Sequence, residues 1–179
     1  MSRITIPAIE TATGATSVAY AEVRKIAGGG VPNLFAALGH LSPAVLTAVL
    51  DAEATLASSS LSKQDLEIIK LAISEQTGCD YCIAAHVMLG KMVGLKAETI
   101  KNIREGQSTG DARHDALVHF VSNLQKTSGT ISEFEYNAIR SAGYTDAQLV
   151  EISLAIAMTV FTNTFNRIND TDIDFPSPN

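Results

Sequence analysis

The sequence predicts an all-α fold, and three observations predict it. No stretch alternates apolar and polar residues between hairpin turns, so strands have no signal. Helix start signals recur at Ser42-Pro43, Ser62-x-x-Asp65, Ser132-x-x-Glu135 and Thr145-x-x-Gln148. The chain is 46% apolar with 6 Phe, 4 Tyr and no Trp, so Leu, Ile, Val and Ala must build the core, which suits helices better than a sandwich.

The elements follow in order. Residues 1–13 read as an extended arm containing Pro7. A helix is expected from Ala15 to Ala27, stopped by Gly28-Gly29-Gly30, and a short one from Leu34 to His40 after Val31-Pro32-Asn33 turns the chain. Ser42 as cap and Pro43 at the first helical position start a helix to Ala57. The Ser62 box starts the helix that carries Glu67, and Gly78 ends it. Helices Cys79–Val93, ended by Gly94, and Ala97–Arg104, ended by Gly106, come next. Gly110-Asp111 opens a helix with Leu117, Phe120, Val121 and Leu124 at helical spacing. The last two boxes start Glu133–Ser141 and Asp146–Asn166. Residues 170–179 read as an irregular acidic tail, most simply a solvated end.

The helix from Asp146 is apolar nearly all round, which places it centrally or at a subunit interface. A faint repeat links two helices. Leu66-x-x-Ile69-x-Leu71-Ala72-Ile73 lines up with Leu149-x-x-Ile152-x-Leu154-Ala155-Ile156, both after a capping box. In that register Thr162, Phe165 and Asn169 replace Cys79, Cys82 and His86. The second copy keeps the packing pattern and lacks the chemistry.

At 179 residues the chain is expected to be a single domain, 1–179. A net charge of -6 without a basic block disfavours nucleic acid and anionic membrane as partners. The start lacks a secretory apolar core, and the run Leu149–Phe161, broken by Glu151 and Ser153, is short for a bilayer. The expected location is cytoplasmic, where a Cys-x-x-Cys is catalytic or metal-binding rather than a structural disulfide.

Both cysteines of the chain lie in Gly78-Cys79-Asp80-Tyr81-Cys82, and His86 follows four residues later. In a helix, Cys79, Cys82 and His86 share one stripe, with Leu89 and Val93 continuing it. Two thiols one turn apart can close a disulfide. A helix beginning at Cys79 would favour a negative sulfur there, and His86 can take the thiol proton. A carboxylate could orient His86, and there are two candidates. If the chain folds back antiparallel at Gly78, Glu67 and His86 differ in height by only about 5 Å. The helical wheel instead puts Glu75 on the apolar arc and Glu67 near Lys70 and Ser74.

A Glu, a Cys-x-x-Cys twelve residues on and a His four further, with the words Gly78-Cys79-Asp80-Tyr81-Cys82 and Ala84-Ala85-His86, resembles the alkylhydroperoxidase D (AhpD)-like group of the carboxymuconolactone decarboxylase superfamily. The motif covers about twenty residues, and a looser similarity, including Val31-Pro32-Asn33, covers most of the chain. The resemblance implies an AhpD-like helical bundle from a degenerate repeat, assembled from identical subunits as a trimer or hexamer. It implies a thiol peroxidase that reduces hydroperoxides without a prosthetic group. An external dithiol, lipoyl-type in some relatives, would supply electrons, and a peroxiredoxin would be a partner. By motif position Cys82 attacks the peroxide, Cys79 resolves, and His86 with Glu67 relays the proton. Glu75 and Tyr81 are supporting residues. The sequence departs from the family at Tyr81, where relatives often carry His, so Tyr81 serves through its hydroxyl or simply packs.

Plainer readings stand beside these. Two buried thiols can pack as small hydrophobes. Cys79, Cys82, His86 and a Glu make four zinc ligands, which would mean a non-catalytic metal-binding or scaffold protein. A lactone decarboxylase is a further rival from the same superfamily, though that chemistry has no evident use for a Cys pair. Glu75 alone on an apolar arc can be an interface partner. His40, His114 and His119 read as surface or cap residues. Gly28-Gly29-Gly30 is no phosphate loop, since no strand precedes it and no Lys-Ser/Thr follows.

Overall fold

The computed structural model describes residues 1–178, and among them nine α-helices and no strand. They are α1 (Gly14–Ile26), α2 (Asn33–Leu41), α3 (Pro43–Ala57), α4 (Lys63–Thr77), α5 (Asp80–Met92), α6 (Ala97–Glu105), α7 (Ala112–Lys126), α8 (Glu133–Ser141) and α9 (Asp146–Asn169). The three expected capping boxes are formed, at Ser62/Asp65, Ser132/Glu135 and Thr145/Gln148. Ser42 is different. Its side chain makes no cap bond, and Pro43 at the first position starts α3 unaided.

Two apolar clusters divide the core. The larger gathers α4 with faces of α5, α6, α7 and α9, around Ile68, Ile69, Leu71, Ile73, Leu117 and Ile152. Each of these six side chains is fully buried and removes about 1.5–3 kcal/mol of apolar surface from water. The smaller joins α1, α2 and α3 around Tyr20, Val23, Leu38 and Leu46. Gly39 makes that cluster possible, because a Cβ there would stand 2.4 Å from the Tyr20 ring and 2.8 Å from Leu46. Cys79, Tyr81 and Cys82 belong to the smaller cluster, while Ile83 and Val87 of the same α5 belong to the larger. The thiol pair therefore sits on the seam between the two.

The central helix is α4. Its residues from Asp65 to Ser74 are all buried, with α5, α7 and α9 packed around it. Burying polar groups demands partners, and each of the four polar ones finds its own in a different helix. Asp65 meets Arg113 of α7, Glu67 meets His86 of α5, Lys70 meets Glu53 of α3, and Ser74 meets Asn163 of α9.

Two expectations are corrected. α9 runs past Asn166 to Asn169, where Asp170 takes a left-handed conformation (φ 52°). The helix is thus longer than the apolar run inside it, and by length and composition alone it passes for a membrane span. α9 packs one face on α3, α4 and α5, and Val150 and Ile168 are exposed on its other side. The tail is no free end. Asn33 Nδ2 donates to Asp172 O (2.9 Å), its backbone N–H to Asp174 (2.8 Å), and Arg104 Nη1 to Pro178 O (2.8 Å). The N-terminal arm, which includes one 3₁₀ turn at Ile9–Thr11, is tied to the same region by Arg3 N–H to Asn169 O (2.7 Å). Asn179, the last residue of the expected tail, lies outside the described residues.

Candidate functional site

Gly78 creates the site. At φ 63° it adopts the left-handed conformation that glycine tolerates, closes α4, and turns the chain into α5. The two helices return side by side. Glu67 from α4 thereby meets His86 from α5, with Oε2 to Nδ1 at 2.8 Å. Glu75, the other candidate, faces away. Its Oε1 accepts from Arg104 Nε at 2.5 Å within the same chain, and Arg104 also holds the tail. Its partner within the chain is a side chain of α6.

Burial alone raises the Glu67 carboxyl, but the charge and hydrogen bond of His86, with help from Lys70, outweigh it and hold the carboxyl below its ordinary value. An ionised carboxylate only accepts hydrogen bonds, so Nδ1 of His86 is the donor and Nε2 is left to exchange protons. His86 lies one turn beyond Cys82 on the same helix.

Cys79 is not inside the helix as expected but caps it, with extended backbone (φ -92°, ψ 91°), and Cys82 is the third helical residue. Both thiols are free, and they are 2% and 3% exposed. They titrate as one unit. Hydrogen bonding from the Cys82 thiol, against the effect of burial, draws the Cys79 thiol below its ordinary value. The Cys82 backbone N–H and Arg167 assist, and Asp80 opposes. The same bond, and then burial, pushes the Cys82 thiol up. The first proton lost leaves one negative charge on the sulfur pair, centred on Cys79 at the positive end of α5.

Tyr81 packs. It is 5% exposed, its ring meets Phe175 of the tail edge-on at 5.2 Å, and its hydroxyl accepts the Leu34 N–H at 3.1 Å. Burial, with Asp174 nearby, raises its phenol well above the ordinary range, so it stays protonated.

A cleft of about 510 Å³ opens beside Cys79, lined by Tyr81, Asn166, Arg167 and Asp172 among others. A smaller hollow of about 280 Å³ between α7 and α8, edged by His119 and Glu135, lies apart from the thiols. Among the described residues no group of three or more His, Cys, Asp or Glu side chains is disposed to hold a metal ion.

Sequence reasoning missed Asn166, whose Nδ2 stands 3.3 Å from Cys82 Sγ. A signal was present. Thr159, Asn163, Asn166 and Asn169 form a polar stripe at helical spacing in an otherwise apolar helix. It also missed Lys70, which Glu53 holds at 2.6 Å close to Glu67.

Residues 43–117, from α3 to α7, match the carboxymuconolactone decarboxylase family. No protein of curated function matches the chain. Among solved structures, the chain is similar to an AhpD-core, uncharacterized peroxidase-related protein from Ralstonia eutropha JMP134, with 24% identity, 97% of this chain and 92% of that one covered, and a TM-score of 0.85. A peroxidase-related protein from Silicibacter sp. TM1040 gives 21% identity, coverage of 96% and 91%, and a TM-score of 0.81. A cysteine-to-alanine variant of the debrominase Bmp8, in complex with 2,3,4-tribromopyrrole, gives 17% identity, coverage of 99% and 96%, and a TM-score of 0.77. The family match falls on the segment that carries the thiol pair, and over its length the chain has the AhpD-like fold.

Proposed function

We propose that the protein is a thiol-dependent peroxidase that reduces hydroperoxides through a Cys79/Cys82 dithiol–disulfide cycle. The family match and the fold support a peroxidase-related or decarboxylase-type enzyme. The observation that carries the finer reading is the pair of free thiols at the start of α5 with the His86–Glu67 couple one turn further on. A lactone decarboxylase would have no evident use for that pair.

The cycle needs no prosthetic group. The proton of the Cys82 thiol passes to His86 Nε2, which frees Cys82 as thiolate. Cys82 attacks the terminal oxygen of the hydroperoxide. The S–O bond forms and the O–O bond breaks, so the sulfur is oxidised by two electrons and the peroxide reduced. The departing alkoxide takes a proton from His86, whose orientation Glu67 fixes. Cys79 then attacks the Cys82 sulfenic acid, closing the disulfide and releasing hydroxide, which becomes water on protonation. An external dithiol of lipoyl type restores both thiols by exchange, and a peroxiredoxin is the partner to which such electrons could alternatively pass. We place the working form in a homo-oligomer, a trimer or hexamer.

The test is hydroperoxide consumption driven by a small dithiol. The wild type turns over, and Cys82→Ser and Cys79→Ser each lose at least about 100-fold. Wild-type turnover in both variants would remove the assignment. The likeness to a debrominase adds one counter-substrate. A dithiol also carries the two electrons that replace a carbon–bromine bond by carbon–hydrogen, so 2,3,4-tribromopyrrole belongs in the same assay. Bromide release faster than peroxide loss would favour dehalogenation.

A further inference from the structure

α9 buries four polar side chains on one stripe, Thr159, Asn163, Asn166 and Asn169, each at most 3% exposed. Three of them find partners within the protein. Thr159 Oγ1 donates to Ala155 O (2.7 Å), Asn163 Nδ2 to Thr77 Oγ1 (2.9 Å), and Asn169 Nδ2 to Thr171 Oγ1 (3.0 Å). Asn169 Oδ1 also accepts the Ile4 N–H (2.9 Å). Asn166 is half satisfied. Its Nδ2 donates to Cys82 Sγ at 3.3 Å, while its Oδ1 is buried and, among the described residues, has no donor. A buried carboxamide oxygen left so has lost its water without gaining a donor. The same side chain borders the cleft beside Cys79.

We propose that Asn166 is a catalytic residue of the dithiol site, its Nδ2–H holding the Cys82 thiolate and its Oδ1 accepting the hydrogen of the hydroperoxide oxygen that Cys82 captures. This rests on the peroxidase reading. The chemistry fits one carboxamide. In ROOH the terminal oxygen carries the hydrogen, and that hydrogen stays with it when the O–O bond breaks and the S–O bond forms. The O–H donated to Oδ1 by the bound hydroperoxide is therefore the O–H of the Cys82 sulfenic acid afterwards. The acceptor serves before and after oxygen transfer, and no proton crosses it. The Nδ2–H meanwhile stabilises charge on Cys82, the sulfur that Cys79 and then burial disfavour as an anion.

The charged and titratable groups around the sulfurs are Asp80 and Tyr81 of α5, the His86–Glu67 couple of α5 and α4, Arg167 of α9 and Asp174 of the tail. The two that could offer a neutral donor and an acceptor from one side chain are engaged elsewhere, the Tyr81 hydroxyl by the Leu34 N–H and His86 by Glu67. An aspartate in place of Asn166 would keep the acceptor and set a second negative charge against the thiolate.

The test uses Cys79→Ser as parent, so that Cys82 alone reports, and adds Asn166→Ala or Asn166→Asp. Asn166→Ser replaces the alanine variant if the latter does not fold by circular dichroism. Iodoacetamide alkylation against pH reads thiolate formation, and dimedone trapping after one equivalent of cumene hydroperoxide reads sulfenic acid formation. Alanine is expected to raise the alkylation midpoint by about one pH unit and aspartate by more. Above the midpoint, where Cys82 is fully ionised, sulfenic acid should form about tenfold more slowly in the alanine variant and near the parent rate in the aspartate variant. An unchanged midpoint in a folded alanine variant, or an unchanged rate at full ionisation, overturns the proposal. If the parent forms no sulfenic acid at all, the peroxidase reading fails and the proposal that rests on it falls too. The alkylation midpoint still shows whether Nδ2 meets the thiolate.

Discussion

The α4–α5 pair and the single helix α9 begin alike and end differently. Both follow a capping box, and both place Leu, Ile, Leu, Ala and Ile at the same steps, from Leu66 to Ile73 and from Leu149 to Ile156. Twelve residues after the first leucine of the pattern, the first copy has Gly78 and the second Phe161. The glycine takes a left-handed turn, and the chain folds back until Glu67 and His86 stand 2.8 Å apart. The phenylalanine continues the helix. Val150 and Asn169, which hold the matching positions, are then separated by 19 residues of straight helix, about 28 Å. One pattern of apolar residues thus yields a hairpin that assembles a site and a rod that supports it. The rod's contribution is its polar stripe, which reaches the hairpin through Asn163 and Asn166.

The two copies should break unequally when their capping boxes are cut. Asp65 and Gln148 occupy the same position in their boxes. Asp65 is fully buried and also accepts from Arg113 (2.8 Å) and the Tyr144 hydroxyl (2.7 Å). Burial raises its carboxyl, and the bonds from Ser62, Tyr144 and Arg113 together bring it below the ordinary value. Asp65→Ala should cost about 3–5 kcal/mol, because a buried hydroxyl and a guanidinium lose their partner. Gln148→Ala should cost about 1 kcal/mol. Urea denaturation checks both, and equal losses would mean that α4 is no more central than α9.

The next largest effect separates the two glutamates of α4. Glu67→Gln should slow thiol alkylation at neutral pH severalfold, whereas Glu75→Gln, which loosens Arg104 and the tail, should not. Stability gives a second reading. The Glu67 carboxyl is held below its ordinary value in the fold, so its ionised form stabilises the protein above the unfolded value of about 4.3. That contribution disappears as pH falls through the lower folded value. Glu67→Gln should therefore be less stable than wild type by about 1–2 kcal/mol at pH 7, with the gap closing as the pH falls below about 4. A gap that widens on acidification would show that the carboxylate is not stabilised by His86.

The helices could be read from the chain because their signals are local. Three capping boxes and the Gly78 and Gly106 stops each act within one turn, and the element borders fall within a few residues of expectation. What could not be read is set by rotation about helix axes. The wheel placed Glu75 on the apolar arc, but α4 is buried on every side, so apolar arc and core face are not the same thing there. Glu67 reaches its partner because α5 lies on that side, and only the tertiary packing decides it. The tail was read only in part, for a related reason: its acidic residues are exposed, yet it is tied down. Its acidic residues suggested solvent, while its anchors, Asn33 and Arg104, are about 70 to 140 residues away in sequence. Asn166 showed only as a polar position in a helix, and its meaning depends on a sulfur 84 residues earlier.

An effect on stability with none on reactivity bears most directly on the comparison. Gly78→Ala adds a Cβ that would meet nothing within 4 Å, so packing does not resist it. The only cost is the left-handed backbone at φ 63°, about 1–2 kcal/mol for a residue with a side chain. The hairpin should survive that, because the apolar faces of α4 and α5 are buried against each other and against α7 and α9. Stability should fall by that amount while the alkylation rate of the thiols stays at the wild-type level. Melting and alkylation of the same preparation decide it. If alanine instead leaves stability untouched and lowers the alkylation rate, the first copy has straightened toward the second. The turn would then be held by glycine alone rather than by the packing on either side of it.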